Sequence, residues 1–294
     1  LADLFGFLNI NKPLGMTSHD VVAKMRRTFH MKRVGHTGTL DPLATGVLVI
    51  CMGEATRLSD FVMHSQKIYR AKIRFGEATE TYDAEGAITA TADISHLTQA
   101  HIEAILSQFI GEIQQIPPMY SAIKKDGKKL YQIARAGETI VLEPRRVTIY
   151  RLTITQFVPP IADIEVMCSA GTYIRSLAHD MGIALGVGAH LAGLIRTRSG
   201  AFDITQAHHL DDLIHHPNPQ SCLVDERVAL AHLPAIQLDQ TDTDHILHGR
   251  IPHHTPSPTA DFGRAYAPNG AFIALLRAEN QQWKPYKVFS STLF

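Results

Sequence analysis

One carboxylate in this chain stands in a setting built to present it. Gly35–Ile50 reads GHTGTLDPLATGVLVI, with Asp41 as its single acid among three glycines (Gly35, Gly38 and Gly46) and an apolar run, Val47-Leu48-Val49-Ile50, at its end. A glycine-rich loop that feeds a buried strand fixes a side chain while the backbone stays close to a ligand. Pro42 biases Asp41 away from helical angles, so its carboxylate is expected to project from the loop. Taken alone, an Asp-Pro pair also opens ordinary turns. A second group is Arg175, in the first turn of the helix expected from GTYIRSLAHDMGIALG with Thr172 as its cap. A cation there opposes the helix dipole, which calls for another reason, such as pairing with a buried carboxylate. Tyr69 and Tyr173 add aromatic faces. The sequence offers no P-loop, dinucleotide fingerprint or metal box beside them. A glycoside hydrolase is disfavoured, because the loop has no second carboxylate close by.

The elements that must position these groups follow from periodicity. Phe5–Ile10 reads as a strand, and Thr17 with Asp20 makes a capping box for a helix packing through Val21, Val22 and Met25. Lys67–Gly76 alternates as a strand carrying Tyr69, and Leu97–Ile110 has helical spacing. Pro144–Phe157, Ile164–Ser169 and His190–Phe202 read as further strands. Near the C-terminus, Ala271–Ala278 and Trp283–Phe289 read as two more, while Thr255–Pro268 follows no assignable pattern. Strands and helices do not alternate regularly enough for a doubly wound sheet. The expected class is α+β: a large mixed, mainly antiparallel sheet with flanking helices, over residues 1–238, and a small β-rich module over 239–294. Asp41, Tyr69, Tyr173 and Arg175 should converge in a cleft across the large sheet.

With 45% hydrophobic and 19% charged residues, the chain has an ordinary globular composition, with no apolar run long enough to span a bilayer and no signal-peptide pattern. Three widely spaced cysteines suit a reducing cytoplasm, and the scattered histidines show no metal-site spacing. The net charge is zero, yet basic residues cluster around Lys124 and Lys128, at Arg145-Arg146, and at Arg196 and Arg198, where they could meet phosphates.

GHTGTLDPLATGVL resembles the catalytic motif of the TruB family of pseudouridine synthases, bacterial enzymes that isomerise uridine 55 in the T loop of tRNA. NKPLGMTSHDVV, KIYRA, GTYIRSLAHD and HLAGLIRTRSGAF resemble further motifs of the same family, so the likeness spans roughly residues 6–202. The resemblance implies the pseudouridine synthase fold. It makes Asp41 the catalytic aspartate, Arg175 its ion-pair partner and Tyr69 the ring that stacks on the target base. It places His36, Tyr173 and Leu194 against the substrate nucleotide and makes Lys12 and Pro13 structural supports; Asp83, in the turn expected over Thr79–Gly86, is a further candidate for a substrate contact. Residues of about 115–147 resemble a thumb insertion that clamps RNA through Lys124, Lys128, Arg145 and Arg146. Arg196 and Arg198 are expected to approach the RNA backbone, and residues 239–294 resemble a PUA-like RNA-binding module. The implied reaction breaks the glycosidic bond, rotates the base and joins C5 to C1′. It needs no metal, cofactor or obligate protein partner, and the enzyme is expected to act as a cytoplasmic monomer on the T stem-loop, with a tRNA-folding role besides. The alternatives are an RNA-binding or RNA-folding protein without catalysis, and a pseudouridine synthase of a guide-RNA particle.

Overall fold

The computed structural model describes residues 4–120, 124–125, 128–129, 140 and 142–289. The chain opens with β1 (Gly6–Lys12), α1 (Ser18–Thr28), β2 (Val34–His36) and β3 (Ala44–Met52), followed by α2 (Ser59–Met63) and β4 (Lys67–Phe75). Next come β5 (Glu77–Thr79), β6 (Ile88–Thr91), α3 (Gln99–Leu106), β7 (Gly111–Gln115), and a minimal hairpin of β8 (Lys124–Lys125) and β9 (Lys128–Lys129). The long pair β10 (Arg145–Val158) and β11 (Ile161–Cys168) leads to α4 (Ile174–Ala184), β12 (Ala189–Ser199), β13 (Phe202–Asp203) and β14 (His208–His209). Of the segment read as a thumb, residues 121–123, 126–127, 130–139 and 141, and with them the helix expected over 128–136 beyond Lys129, lie outside the described residues.

Ten strands form one mixed sheet in the order β14-β1-β3-β12-β4-β11-β10-β7, with β2 on β3 and β13 on β12. Pairing is antiparallel except for β1 with β14 and β3 with β12. The alternation expected in KIYRAKIRF is realised: Tyr69, Ala71, Ile73 and Phe75 enter one core with Val21, Val22 and Met25 of α1 and Leu177, Ala178 and Met181 of α4. The capping box also forms, with the Thr17 hydroxyl accepting from Asp20 N and the Asp20 carboxylate accepting from Thr17 N at 2.9 Å. Thr172, by contrast, is not the cap of α4. That position belongs to Tyr173, and the Thr172 hydroxyl donates back to the Ser169 carbonyl at 3.0 Å.

The opposite face of β1 and β3 carries Phe7, Val47, Val49 and Cys51 into a second core with Phe202, Tyr266, Phe272 and Phe289. The last three belong to, or directly follow, a separate sheet of β15 (Ala235–Gln237), β16 (Phe262–Tyr266), β17 (Phe272–Glu279) and β18 (Gln282–Val288). This is the α+β architecture expected, a large mixed sheet with flanking helices and a small β-rich C-terminal sheet. β16 falls in the stretch without assignable pattern. Its Gly263 lies under Ile236 and Trp283, where an added Cβ would sit 2.5 Å from the Ile236 side chain, so close packing removed the apolar signal. No helix among the described residues is long and apolar enough to cross a membrane.

The joint between β3 and β12 depends on Gly46, whose φ is +98° and whose added Cβ would lie 2.3 Å from the Arg196 carbonyl oxygen. Gly46→Ala must therefore strain the backbone and push apart two paired strands. We expect it to cost about 3 kcal/mol or more, read as a lowered midpoint in urea denaturation.

Candidate active site

Asp41 lies in the loop between β2 and β3, and two clamps from the N-terminal segment hold that loop. The Ser18 hydroxyl donates to the Leu40 carbonyl at 3.0 Å and accepts from Leu40 N at 2.8 Å. Gly15 N donates to the Pro42 carbonyl at 2.8 Å. Lys12 is fully buried behind them, its ammonium donating to the carbonyls of Pro13 at 2.9 Å and Met16 at 2.6 Å. Burial pushes the Lys12 pKa down to about 8, with Asp41 opposing the shift. Lys12 and Pro13, expected as structural supports, lie in the turn whose Gly15 bonds the Asp41 loop.

Arg175 projects from the first turn of α4 with only 6% of its side chain exposed. It meets Asp41 at 3.0 Å and Asp83 at 3.2 Å, and donates to the carbonyls of Tyr120 at 2.9 Å and Thr81 at 3.4 Å. The cation that opposes the helix dipole is therefore held between two carboxylates. Asp83 is not free to touch a substrate as expected, since its side chain is 3% exposed. Its oxygens accept from the Thr81 hydroxyl at 2.5 Å, Glu85 N at 3.1 Å and Arg175. It is a brace behind Arg175.

Asp41 itself keeps 36% of its side chain exposed. Burial is the largest influence on it and pushes its carboxyl above the usual carboxylate range; Arg175 opposes that, Asp83 adds to it and Lys12 opposes it. His36 is half-buried, accepts from Gly38 N at 3.3 Å and packs edge-on against His19 with ring centroids 5.5 Å apart. Burial, with His19 and Arg196 nearby, pushes its pKa down to about 4, so the ring is neutral at pH 7. Tyr69 is buried on β4, directly opposite Arg196 of β12, and burial raises its hydroxyl pKa. Leu194, on the same strand, is opposite Ala44 and Ala71 and packs against the main core.

Arg196 departs from expectation. At 2% exposure it cannot present itself to an RNA backbone; its guanidinium donates to the carbonyls of Val47 at 2.7 Å and Gly38 at 3.1 Å. It ties the glycine loop to the sheet. Arg198 is exposed, 3.4 Å from Asp203, and borders a cavity of about 820 Å³ between the two sheets. That cavity is also lined by Ile68, whose side chain leaves β4 on the face opposite Tyr69, so it is separate from the Asp41 group. Arg145 and Arg146 are exposed at the start of β10, with Arg146 3.3 Å from Glu112. Lys124 and Lys128 are placed by backbone alone, each paired across the β8–β9 hairpin.

One positioning residue escaped the sequence reading. The buried amide of Gln115 accepts from Tyr173 N at 2.7 Å and donates to the Tyr173 carbonyl at 2.9 Å, gripping the residue that leads into Arg175. Its only sequence signal is its place at the end of an alternating strand.

Two family models match the chain: the TruB family pseudouridylate synthase N-terminal domain over residues 26–174, and the tRNA pseudouridylate synthase B C-terminal domain over residues 175–233. The chain is 48% identical over 254 residues to a tRNA pseudouridine synthase B of Symbiobacterium thermophilum, covering 85% of this chain and 84% of that protein. It is 42% identical over 290 residues to the tRNA pseudouridine synthase B of Thiobacillus denitrificans, covering 97% and 96%. Among solved structures it is similar to a chain of a Cbf5-Nop10-Gar1 complex, with TM-score 0.77, 26% identity and coverage of 98% and 85%. It is also similar to one in an H/ACA RNP bound to a substrate RNA containing 2′-deoxyuridine, with TM-score 0.75, 25% identity and coverage of 98% and 86%.

Proposed function

Because the chain belongs to the TruB family of pseudouridylate synthases, we propose that it is an isomerase converting uridine to pseudouridine in tRNA, at position 55 of the T loop. The observation that carries the site assignment is Asp41, partly exposed, ion-paired to a buried arginine that α4 aims against its own dipole. The N1–C1′ bond breaks, the base turns, and C5 joins C1′; the C5 proton leaves and N1 gains one. Asp41 supplies the carboxylate for this sequence, and either role open to it, nucleophile or base, requires the ionised form. Arg175 orients it and favours the ionised form against the opposing push of burial. Tyr69 offers its ring to the extruded base, with Tyr173 and Leu194 beside it and neutral His36 on the loop side. Stacking on such a ring recovers roughly 1–3 kcal/mol per base of the unstacking cost.

Residues 1–238 form the catalytic unit in this reading, with a thumb at about 115–147 carrying Lys124, Lys128, Arg145 and Arg146 toward the RNA. Residues 239–294 act as a PUA-like RNA-binding module, although its sheet takes β15 from just before that boundary. The substrate element is the T stem-loop, and the enzyme works as a monomer without obligate partners and assists tRNA folding. The guide-RNA-particle alternative draws on solved neighbours at 25–26% identity. The 40–48% identity to tRNA pseudouridine synthases B favours the tRNA enzyme. The test is tritium release from C5-labelled uridine in an unmodified tRNA transcript, with the product mapped by carbodiimide and primer extension. Release at a single T-loop position is expected; tight binding without release would overturn the reading.

The raised Asp41 pKa sets the direction of a pH profile. Single-turnover rate should fall as pH drops through that pKa, placing the acid limb above the ordinary aspartate value of about 3.9. Stability runs the other way: ionising a carboxyl whose folded-state pKa is raised costs the fold, and acid relieves that cost. Rates unchanged down to the ordinary aspartate range would contradict the assignment.

A further inference from the structure

Leu14 is 68% exposed, the most exposed large hydrophobic side chain among the described residues. A lone surface leucine ordinarily means nothing. This one sits at the tip of a turn that is braced on every side. The buried Lys12 ammonium holds the carbonyls on either side of the tip, those of Pro13 and Met16. Gly15 takes a left-handed φ of +80° and donates to Pro42, the residue after Asp41. Ser18, just past the turn, grips Leu40, the residue before it. The tip and the Asp41 loop are thus one rigid unit, stiffened by a lysine that is costly to bury. Burying a lysine to hold a turn still has a purpose if the side chain on that turn must not fold back onto the protein. Pro13, Met16 and Pro42 around the turn are half-buried, and Met16 packs against the main core.

An enzyme that works on a stacked base must extrude it, and apolar side chains such as leucine serve nucleic-acid-binding proteins as wedges between base steps. We propose that Leu14 is such a wedge, pressed into the T-loop stack beside the target uridine so that the extruded base does not fall back. Its rigidity means that little side-chain order is lost when RNA arrives. The inference rests on the reading of the chain as a tRNA uridine isomerase.

The experiment uses a T-arm hairpin with 2-aminopurine next to the target uridine, in which fluorescence reports unstacking and tritium release reports chemistry. With saturating wild-type protein both signals are expected. Leu14→Ser should keep its melting temperature, lose most of the fluorescence rise, and isomerise about tenfold more slowly in a single turnover. Leu14→Met should behave as the parent. A hairpin with an abasic site next to the uridine, already unstacked, should restore the Leu14→Ser rate. Parent-like unstacking and turnover by Leu14→Ser would overturn the wedge alone, as would failure of the abasic hairpin to restore it. Absence of both signals with the wild-type protein would overturn the isomerase reading and the wedge with it.

Discussion

Asp41→Asn is expected to bind an unmodified tRNA transcript as tightly as the parent while releasing tritium from its uridines at least about 10⁴-fold more slowly. Asparagine is nearly the same shape and still accepts a hydrogen bond from Arg175, so the loop held by Leu40 and Pro42 has no reason to move. What disappears is the ionisable oxygen, and with it both nucleophile and base. The substitution also separates an isomerase from a protein that only binds or folds RNA, because the second would be indifferent to it. Residual release within tenfold of the parent would remove Asp41 from the chemistry.

Arg175→Met should damage both the fold and the reaction. It strands Asp83, 3% exposed, without its cation and leaves the carbonyls of Tyr120 and Thr81 short of a donor. Removing one partner of a buried pair costs about 3–5 kcal/mol, and the urea midpoint should fall accordingly. Turnover should drop roughly 10²–10³-fold, comparable with loss of a positioned electrostatic group, and the acid limb should move to higher pH as Asp41 loses its opposing charge. Adding Asp83→Asn to Arg175→Met should recover much of the stability and none of the rate. An Arg175→Met protein with the parent's acid limb would show that the 3.0 Å pair does not govern Asp41.

The large-scale plan was legible because its signals are local. KIYRAKIRF alternates as a strand with one face buried, and its tyrosine faces inward as the pattern requires. Arg175 advertised itself by breaking a dipole rule, although its pairing with Asp41 came from resemblance and its grip on Asp83 came from neither. Arg196 and Arg198 show why site details were lost. Two residues apart on a regular strand, they should share a face. A register shift sets Arg196 opposite Tyr69 and Arg198 opposite Ile68, two residues against one, and turns the first inward while the second stays out. Nothing in the string RTRSG announces that bulge. Part of the histidine-rich surface also gains an account: the fully buried Asp242 carboxylate accepts from the backbone N–H groups of His253 and His254 at 2.7 and 2.8 Å, so that loop is held by main chain.

The strand order has a consequence for how the chain comes off the ribosome. β12 lies between β3 and β4, yet it is synthesised about 120 residues after β4 ends. At about 5–20 residues per second, β3 and β4 spend roughly 6–25 s with their facing edges unpaired, and Gly46 waits for the backbone it is shaped to meet. Arg175, which grips Asp41, is encoded in the same later part of the chain, shortly before β12. A nascent fragment ending before β12 can clamp the Asp41 loop through Ser18 and Gly15 but has no Arg196, so the tie between glycine loop and sheet forms only when the middle strand closes it.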